Sequence, residues 1–267
     1  MWKTFDNGGQ EGAYWVEGQG DAVLLLHGFA EDHSVWEHQT AYLRAHYRVI
    51  VPDLPGTGRS ALTSPLSMES MATFAWKALQ AEGVNSAVVI GHSMGGYVAL
   101  AFAQAYPDAV EGLGLFSSTA RPDTEEKVES RRKSIRIMQQ YGVESFVKQL
   151  LPNMFASGFR NTQAARVDNY IQQAMTIPLE TMIAYYEAMI ARPDRTAVLS
   201  GAHKPVFYFI GKEDQAVPLE NSLTQVVLPP VSSIHIFDAV GHMGLLEVFE
   251  ESNLLLHQFI TFCQHKQ

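Results

Sequence analysis

The sequence predicts an α/β fold in which helices flank a mostly parallel sheet. Short apolar runs rich in β-branched residues recur without strict polar and apolar alternation, a pattern typical of strands buried on both faces. Stretches with helical periodicity lie between these runs, and strands that alternate with helices indicate a parallel sheet. One long segment near the middle of the chain interrupts the alternation and shows helical patterns only. Together, these three observations define the predicted architecture.

The elements can be assigned in order along the chain. Six apolar runs are predicted as strands: 22–26, 47–51, 87–90, 112–116, 205–210 and 234–237. Four periodic stretches are predicted as helices: 34–45, 67–81, 97–105 and 244–262. The segment 121–199 contains no predicted strand. We therefore expect one sheet-based core, residues 1–120 and 200–267, with a helical cap of residues 121–199 inserted into it.

Composition is that of a globular protein with a sizeable core, since 46% of the 267 residues are hydrophobic and 18% are charged. The net charge of −9 disfavours a nucleic-acid partner, because binding phosphates needs clustered cations. The single cysteine, Cys263, excludes an intramolecular disulfide and a cysteine-based zinc site. Signal-peptide and membrane-span patterns are both absent from the sequence. We expect a cytoplasmic protein without a membrane partner, and the sequence leaves its oligomeric state open.

The most informative segment is a candidate nucleophile motif. The apolar run 87–90 leads into Gly-His-Ser-Met-Gly at 91–95, a G-x-S-x-G pattern, and then into an apolar helix. Small residues are needed two positions before and after the serine, because the backbones approach closely at a sharp strand-to-helix turn. Such a turn exposes the Ser93 hydroxyl and places the Met94 N–H and the positive helix end beside an anion formed on the substrate. Ser93 is therefore the candidate nucleophile.

A serine hydroxyl becomes a nucleophile when a base takes its proton and an acid orients that base. His242 follows the last predicted strand, at the sheet edge where loops carry functional groups. Asp214 follows the preceding strand, so Ser93, Asp214 and His242 occur in the chain order expected of such a triad. Asp123, which follows the strand before the insertion, is the alternative acid.

A second oxyanion-hole donor is predicted after the first buried run. The sequence His27-Gly28-Phe29 follows residues 22–26. Gly28 permits a sharp turn that directs the Phe29 N–H toward the same point as the Met94 N–H. We interpret His27 as a structural side chain that bonds to loop backbone.

These motifs resemble the α/β-hydrolase superfamily, in the branch that carries a helical cap. The matching segments are HGF at 27–29, PDLPGTGRS at 52–60, GHSMGG at 91–96, GKEDQAVP at 211–218 and GHM at 241–243. The resemblance spans nearly the whole chain and implies an eight-stranded sheet, with Ser93, Asp214 and His242 as catalytic triad. It also implies that 52–60 is a structural turn and that no cofactor is needed. A serine in place of aspartate at the nucleophile position argues against haloalkane dehalogenases and epoxide hydrolases.

The predicted reaction is hydrolysis of carboxylic esters of small, partly apolar molecules through an acyl-enzyme. Contacts with such a substrate are expected from Met154, Phe155, Tyr185 and Met243. No Arg or Lys cluster accompanies the motifs, so the sequence gives no support to a strongly anionic substrate. The charged run 123–136 is interpreted as a solvated helix face.

Other functions share the same residues. A C–C bond hydrolase, a thioesterase and a perhydrolase would use the same triad, and the sequence does not separate them. A small-molecule signal receptor that retains the triad is the alternative from another class. We found neither a dinucleotide fingerprint, nor a P-loop, nor an H-E-x-x-H motif, so neither a nucleotide nor a metal is expected.

Overall fold

An eight-stranded sheet organises the chain, of which the computed structural model describes residues 1–264. The strands are β1 (Trp2–Asp6), β2 (Glu11–Glu17), β3 (Ala22–Leu26), β4 (Arg48–Pro52), β5 (Ala87–His92), β6 (Val110–Phe116), β7 (Val206–Gly211) and β8 (Ser232–Phe237). Their order in the sheet is β1-β2-β4-β3-β5-β6-β7-β8. The β1–β2 and β2–β4 pairs are antiparallel, and every other neighbouring pair is parallel. The predicted fold class is confirmed.

Eleven α-helices accompany the sheet in the described chain. They are α1 (Glu37–Leu43), α2 (Met68–Ala81), α3 (Met94–Ala105), α4 (Glu125–Leu150), α5 (Ser157–Thr162), α6 (Ala164–Ala174), α7 (Leu179–Ala191), α8 (Thr196–Ser200), α9 (Leu219–Leu223), α10 (Gly244–Glu247) and α11 (Phe249–Gln264). Helices α2 and α3 pack against each other and the sheet, as do α1 and α11. Within residues 1–264, none of them combines the length and the apolar character that a membrane crossing requires.

The six predicted strands correspond to β3 through β8. Strands β3, β5 and β7 are buried along their whole length, which explains their continuous apolar sequences. The first two strands were not predicted. Their antiparallel pairing leaves β1 at the sheet edge with exposed polar side chains, so its sequence lacks the apolar run of a buried strand.

The predicted helices agree with the structure apart from their ends. Helix α3 begins at Met94, three residues before the predicted start at 97, because Gly95 and Gly96 weaken the helical pattern. The stretch 244–262 forms two helices, α10 and α11. Between β6 and β7 the chain forms helices α4 to α8 and no strand. The division into core and cap, including residues 265–267 outside the described range, stays a prediction.

The turn at 52–60 is organised by one buried carboxylate. Asp53 accepts hydrogen bonds from the backbone N–H groups of His33 (3.0 Å) and Arg59 (2.8 Å) and from the His33 ring (2.9 Å). Burial alone would raise the pKa of Asp53, but these hydrogen bonds and His33 lower it below the usual 3.8. The buried His27 ring accepts from the Leu54 N–H at 2.9 Å. These contacts hold the turn against the loop that follows β3.

We expect Asp53→Asn to lower the free energy of unfolding by about 2 kcal/mol at neutral pH, because an amide nitrogen cannot accept from the Arg59 N–H. The native pKa lies below the unfolded value, so the Asp53 contribution is fully present above pH 3.8 and is lost as the pH falls through the native pKa. Urea unfolding at neutral and acidic pH checks this. The exposed Asp108→Asn is the matched control. An equal loss of stability in both variants would contradict the role given to Asp53.

Candidate active site

Ser93 lies at a strained turn between β5 and α3. Its backbone has φ 52° and ψ −116°, a region that costs a side-chain-bearing residue about 1–3 kcal/mol. A Cβ at position 91 would overlap the Gly95 carbonyl, and one at position 95 would overlap the Leu26 carbonyl. The Ser93 N–H donates to the Phe116 carbonyl at 2.9 Å. The two glycines thus permit the backbone approach that exposes Ser93 at the carboxyl end of the sheet.

His242 and Asp214 form a buried hydrogen-bonded pair. The His242 Nδ1 lies 2.8 Å from Asp214 Oδ2, and both residues are almost completely buried. The other oxygen of Asp214 accepts from the backbone N–H groups of Ala216 (2.8 Å) and Val217 (2.9 Å). With Nδ1 occupied, Nε2 is the ring nitrogen available to a reacting group. Ser93 and His242 line the same cavity.

The structure does not bring the alternative acid, Asp123, to His242. Its carboxylate accepts from Arg131 Nε at 2.5 Å and from an Arg192 guanidinium nitrogen at 2.8 Å. Burial alone would raise the pKa of Asp123, but the two guanidinium groups lower it below its ordinary value. Asp123 therefore pairs with two arginines, one in α4 and one just after α7, and links these two helices.

The two predicted oxyanion-hole amides belong to Phe29 and Met94. Within residues 1–264 neither backbone N–H has a hydrogen-bond acceptor, which for Met94 is expected of the first residue of a helix. Gly28 turns the chain, and its own N–H donates to Glu31 at 2.5 Å. Ala30 follows with a positive φ of 62°. The loop after β3 thus directs one free amide, and the start of α3 supplies another.

A cavity of about 310 Å³ lies at this edge of the sheet. It is lined by Phe29, Glu31, Ser93, Tyr97, Lys127, Ser130, Arg131, Ser134, Leu150, Leu151, Asn153, Met154, Tyr170, Tyr186, Met189, Gln215, Ala216, Val217 and His242. The volume is at the small end of the range of about 300–1,000 Å³ for ligand sites. Helices α4, α6 and α7 supply much of the wall, so the segment between β6 and β7 encloses the reacting groups.

The charged residues of the cavity wall differ from those expected from the sequence. Lys127, Ser130, Arg131 and Ser134 have the spacing of one helix face, and this face of α4 lines the cavity. The charged run 123–136 was expected to be a solvated helix face, but one of its faces lines the cavity. Two cations, Lys127 and Arg131, therefore lie at the site. These cations could not be assigned to the site from sequence, because Lys127 and Arg131 lie far from the motifs along the chain.

Only one of the four expected substrate contacts lies in the cavity wall. Met154 does, whereas Phe155, Tyr185 and Met243 do not. Tyr185 and Met243 are completely inaccessible and contribute to the core instead. Phe155 is buried and stacks on Phe159 at 5.6 Å between ring centroids. Residue type alone did not separate lining residues from packing residues.

Glu31 and His92 form a second buried pair that the sequence did not reveal. Glu31 Oε2 lies 3.0 Å from His92 Nδ1, and the Tyr170 hydroxyl donates to Oε1 at 3.0 Å. The His92 Nε2 lies 3.1 Å from the His242 backbone carbonyl. Burial would raise the pKa of Glu31 and lower that of His92, but their mutual attraction reverses both shifts. The pair links the oxyanion loop, the nucleophile turn and the His242 loop.

Comparisons with known proteins agree with this geometry. Residues 21–248 match the alpha/beta hydrolase fold family. The chain belongs to this family. The resemblance recognised in the sequence is confirmed, because the match covers the turn after β3, the nucleophile turn and the loop that carries His242.

Several relatives match along most of their length. A 2-hydroxy-6-oxo-6-phenylhexa-2,4-dienoate hydrolase of Burkholderia cepacia is 27% identical, over 91% of this chain and 89% of its own. A pimeloyl-[acyl-carrier protein] methyl ester esterase of Vibrio cholerae is 28% identical, over 93% and 97%. Among solved structures, a malate-bound thermophilic esterase from Thermogutta terrifontis superimposes with a TM-score of 0.91, at 30% identity and 97% coverage of both chains.

We expect Glu31→Gln to destabilise the protein most between about pH 4.5 and 6.5. The lowered pKa of Glu31 gives stability that is present above its ordinary 4.5 and is lost as the pH falls through the native value. The raised pKa of His92 gives stability that is present below 6.5 and is lost as the pH rises through the native value. Urea unfolding over a pH series measures both, with the exposed Glu126→Gln as control. A pH-independent loss would contradict the ion pair.

Proposed function

We propose that this protein is a serine carboxylesterase that cleaves small, partly apolar esters through an acyl-enzyme. The observation that supports this most directly is the cavity shared by Ser93 and His242, with Asp214 bonded to the far side of the His242 ring. The names of the Vibrio and Thermogutta relatives, which are esterases, agree with it. The cytoplasmic location expected from the sequence stays a prediction.

The reaction would proceed in two acyl transfers. His242 Nε2 takes the proton of Ser93 as its oxygen attacks the ester carbonyl, while Asp214 stabilises the imidazolium through Nδ1. The tetrahedral oxyanion accepts hydrogen bonds from the Phe29 and Met94 amides, each worth about 3 kcal/mol in related sites. His242 then protonates the leaving alcohol. Water, activated by the same nitrogen, releases the acid and restores Ser93.

In this proposal the helices between β6 and β7 act as the cap and set substrate size. Their side chains in the wall include Met154, Tyr186 and Met189, which are apolar or aromatic. The Phe29 ring stacks on Tyr186 at 4.3 Å, so the oxyanion loop and α7 form one continuous apolar surface. A small ester would place its apolar part there and its carbonyl between the two amides.

A C–C bond hydrolase is the second candidate, because the Burkholderia relative is named as the hydrolase of a keto acid that contains no ester bond. The same triad geometry serves both. Assaying p-nitrophenyl esters beside thioesters and a vinylogous diketone separates these reactions by initial rate. Sustained turnover of any of them argues against a signal receptor, which would give one burst at most.

We expect Ser93→Ala to lower ester turnover by a factor on the order of 10⁴ to 10⁶, because the nucleophile is lost while binding remains. Hydrolysis of p-nitrophenyl butyrate measures this, and circular dichroism verifies the fold. Exposed Ser200→Ala is the matched control. A Ser93→Ala variant with the wild-type rate would eliminate the proposed mechanism.

Asp214→Asn should lower kcat by about 10⁴, because the amide favours the wrong His242 tautomer. Asp123→Asn should instead lower stability, since it weakens the pairing with Arg131 and Arg192. Measuring kcat and melting temperature for both variants tests the assignment of the acid. The assignment to Asp214 fails when the larger kcat loss belongs to Asp123→Asn.

A further inference from the structure

Most charged groups in the cavity wall are paired with an opposite charge. Glu31 lies 3.0 Å from the His92 ring, and Arg131 donates to Asp123 at 2.5 Å. Both pairs are held by further hydrogen bonds and need no ligand to compensate them. His242 is bonded to Asp214 at 2.8 Å.

Lys127 is the exception among the charged groups in this wall. It lies in the first turn of α4, it is partly buried, and its ammonium has no carboxylate or other hydrogen-bond acceptor within residues 1–264. Burial, and then the nearby Arg131, lower its pKa from the ordinary 10.5, as expected of a cation that lacks an anionic partner. The carboxylates of Asp123 and Asp214 raise the pKa of Lys127, but both carboxylates already accept hydrogen bonds from other residues.

The surroundings of Lys127 are positive although the whole chain is negative. Arg131 and Arg192 both pair with Asp123, so these two guanidinium groups together have one carboxylate. Serine hydroxyls on the same face of α4, at 130 and 134, also line the cavity and can donate to an anion. In a chain of net charge −9, a cation without a hydrogen-bonded carboxylate, in the same cavity wall as Ser93, is a local feature.

We infer that Lys127 binds a carboxylate of the substrate, so that the enzyme prefers esters carrying a free carboxylate over neutral esters of the same length. The inference rests on the proposed esterase function. The ammonium donates to a carboxylate oxygen, and charge-assisted hydrogen bonds of this kind are strong where water is partly excluded. The cavity of about 310 Å³ limits the substrate to a small molecule, whose carboxylate would lie a few bonds from the scissile ester.

The test compares two esters that differ only in the end of the acyl chain. These are p-nitrophenyl hexanoate and the mono-p-nitrophenyl ester of adipic acid. The ratio of kcat/KM, adipate ester over hexanoate ester, is measured for wild type, Lys127→Met, Lys127→Arg and the exposed Lys133→Met as control. We expect the ratio to fall by about tenfold or more in Lys127→Met and to be largely kept in Lys127→Arg and Lys133→Met.

Calorimetric titration with adipate provides a readout that does not need turnover. Adipate should bind wild type more tightly than Lys127→Met by about tenfold or more, with Lys133→Met like wild type. If wild type hydrolyses the hexanoate ester and the kcat/KM ratio is unchanged in Lys127→Met, the carboxylate site is overturned and the esterase proposal stands. If wild type hydrolyses neither ester, the esterase proposal fails, and the titration decides whether Lys127 binds a carboxylate. Loss of adipate binding in Lys127→Met supports the site. Equal binding by both proteins, or no binding by wild type, overturns it.

Discussion

The close approach of backbone at the start of α3 is the constraint on which the rest of the site depends. The nucleophile can occupy its left-handed conformation because glycines at 91 and 95 let the strand end, the helix start and the loop after β3 pack together. This contact places the first amide of α3 beside the loop that ends at Phe29. The same tight packing fixes where the positive end of the helix points. The parallel sheet supplies the rigidity that such strain requires.

Much of the fold, and the residues that the structure brings together at the candidate site, could be predicted from sequence, because they depend on local patterns. Ser93 and Asp214 follow buried strands with continuous apolar runs, whereas His242 follows the edge strand β8. The substrate wall was harder. Lys127 reaches the cavity that Ser93 also lines because α4 folds over it, and no local sequence pattern marks residues that meet in this way. Glu31 offered one signal, an acidic side chain three residues after Gly28 that can accept from its amide. Its partner His92 occupies the first x of the G-x-S-x-G motif, a position at which the motif specifies no residue type.

Charge is organised around the cavity in pairs that connect different segments. Glu31 joins the loop after β3 to the strand that precedes the nucleophile, and Asp214 joins the loops after β7 and β8. Buried pairs of this kind add little net stability, since desolvation offsets much of the attraction. Their benefit is geometric: each allows one arrangement of the loops it joins. The loops that carry Glu31, Asp214 and His242 are therefore held by polar contacts, and aromatic packing joins the helices between β6 and β7 to the loop after β3.

Asp123 and Arg192 lie 69 residues apart in sequence, just before α4 and just after α7, and their side chains meet at 2.8 Å. The ion pair closes the intervening helices into a loop with fixed ends. Because the entropy of closing a loop grows only slowly with its length, the length of the segment between these two residues adds little to the cost of closing it. Changes of length are therefore tolerated most easily where the segment does not contact the core, and least at residues such as Tyr170, which donates to Glu31.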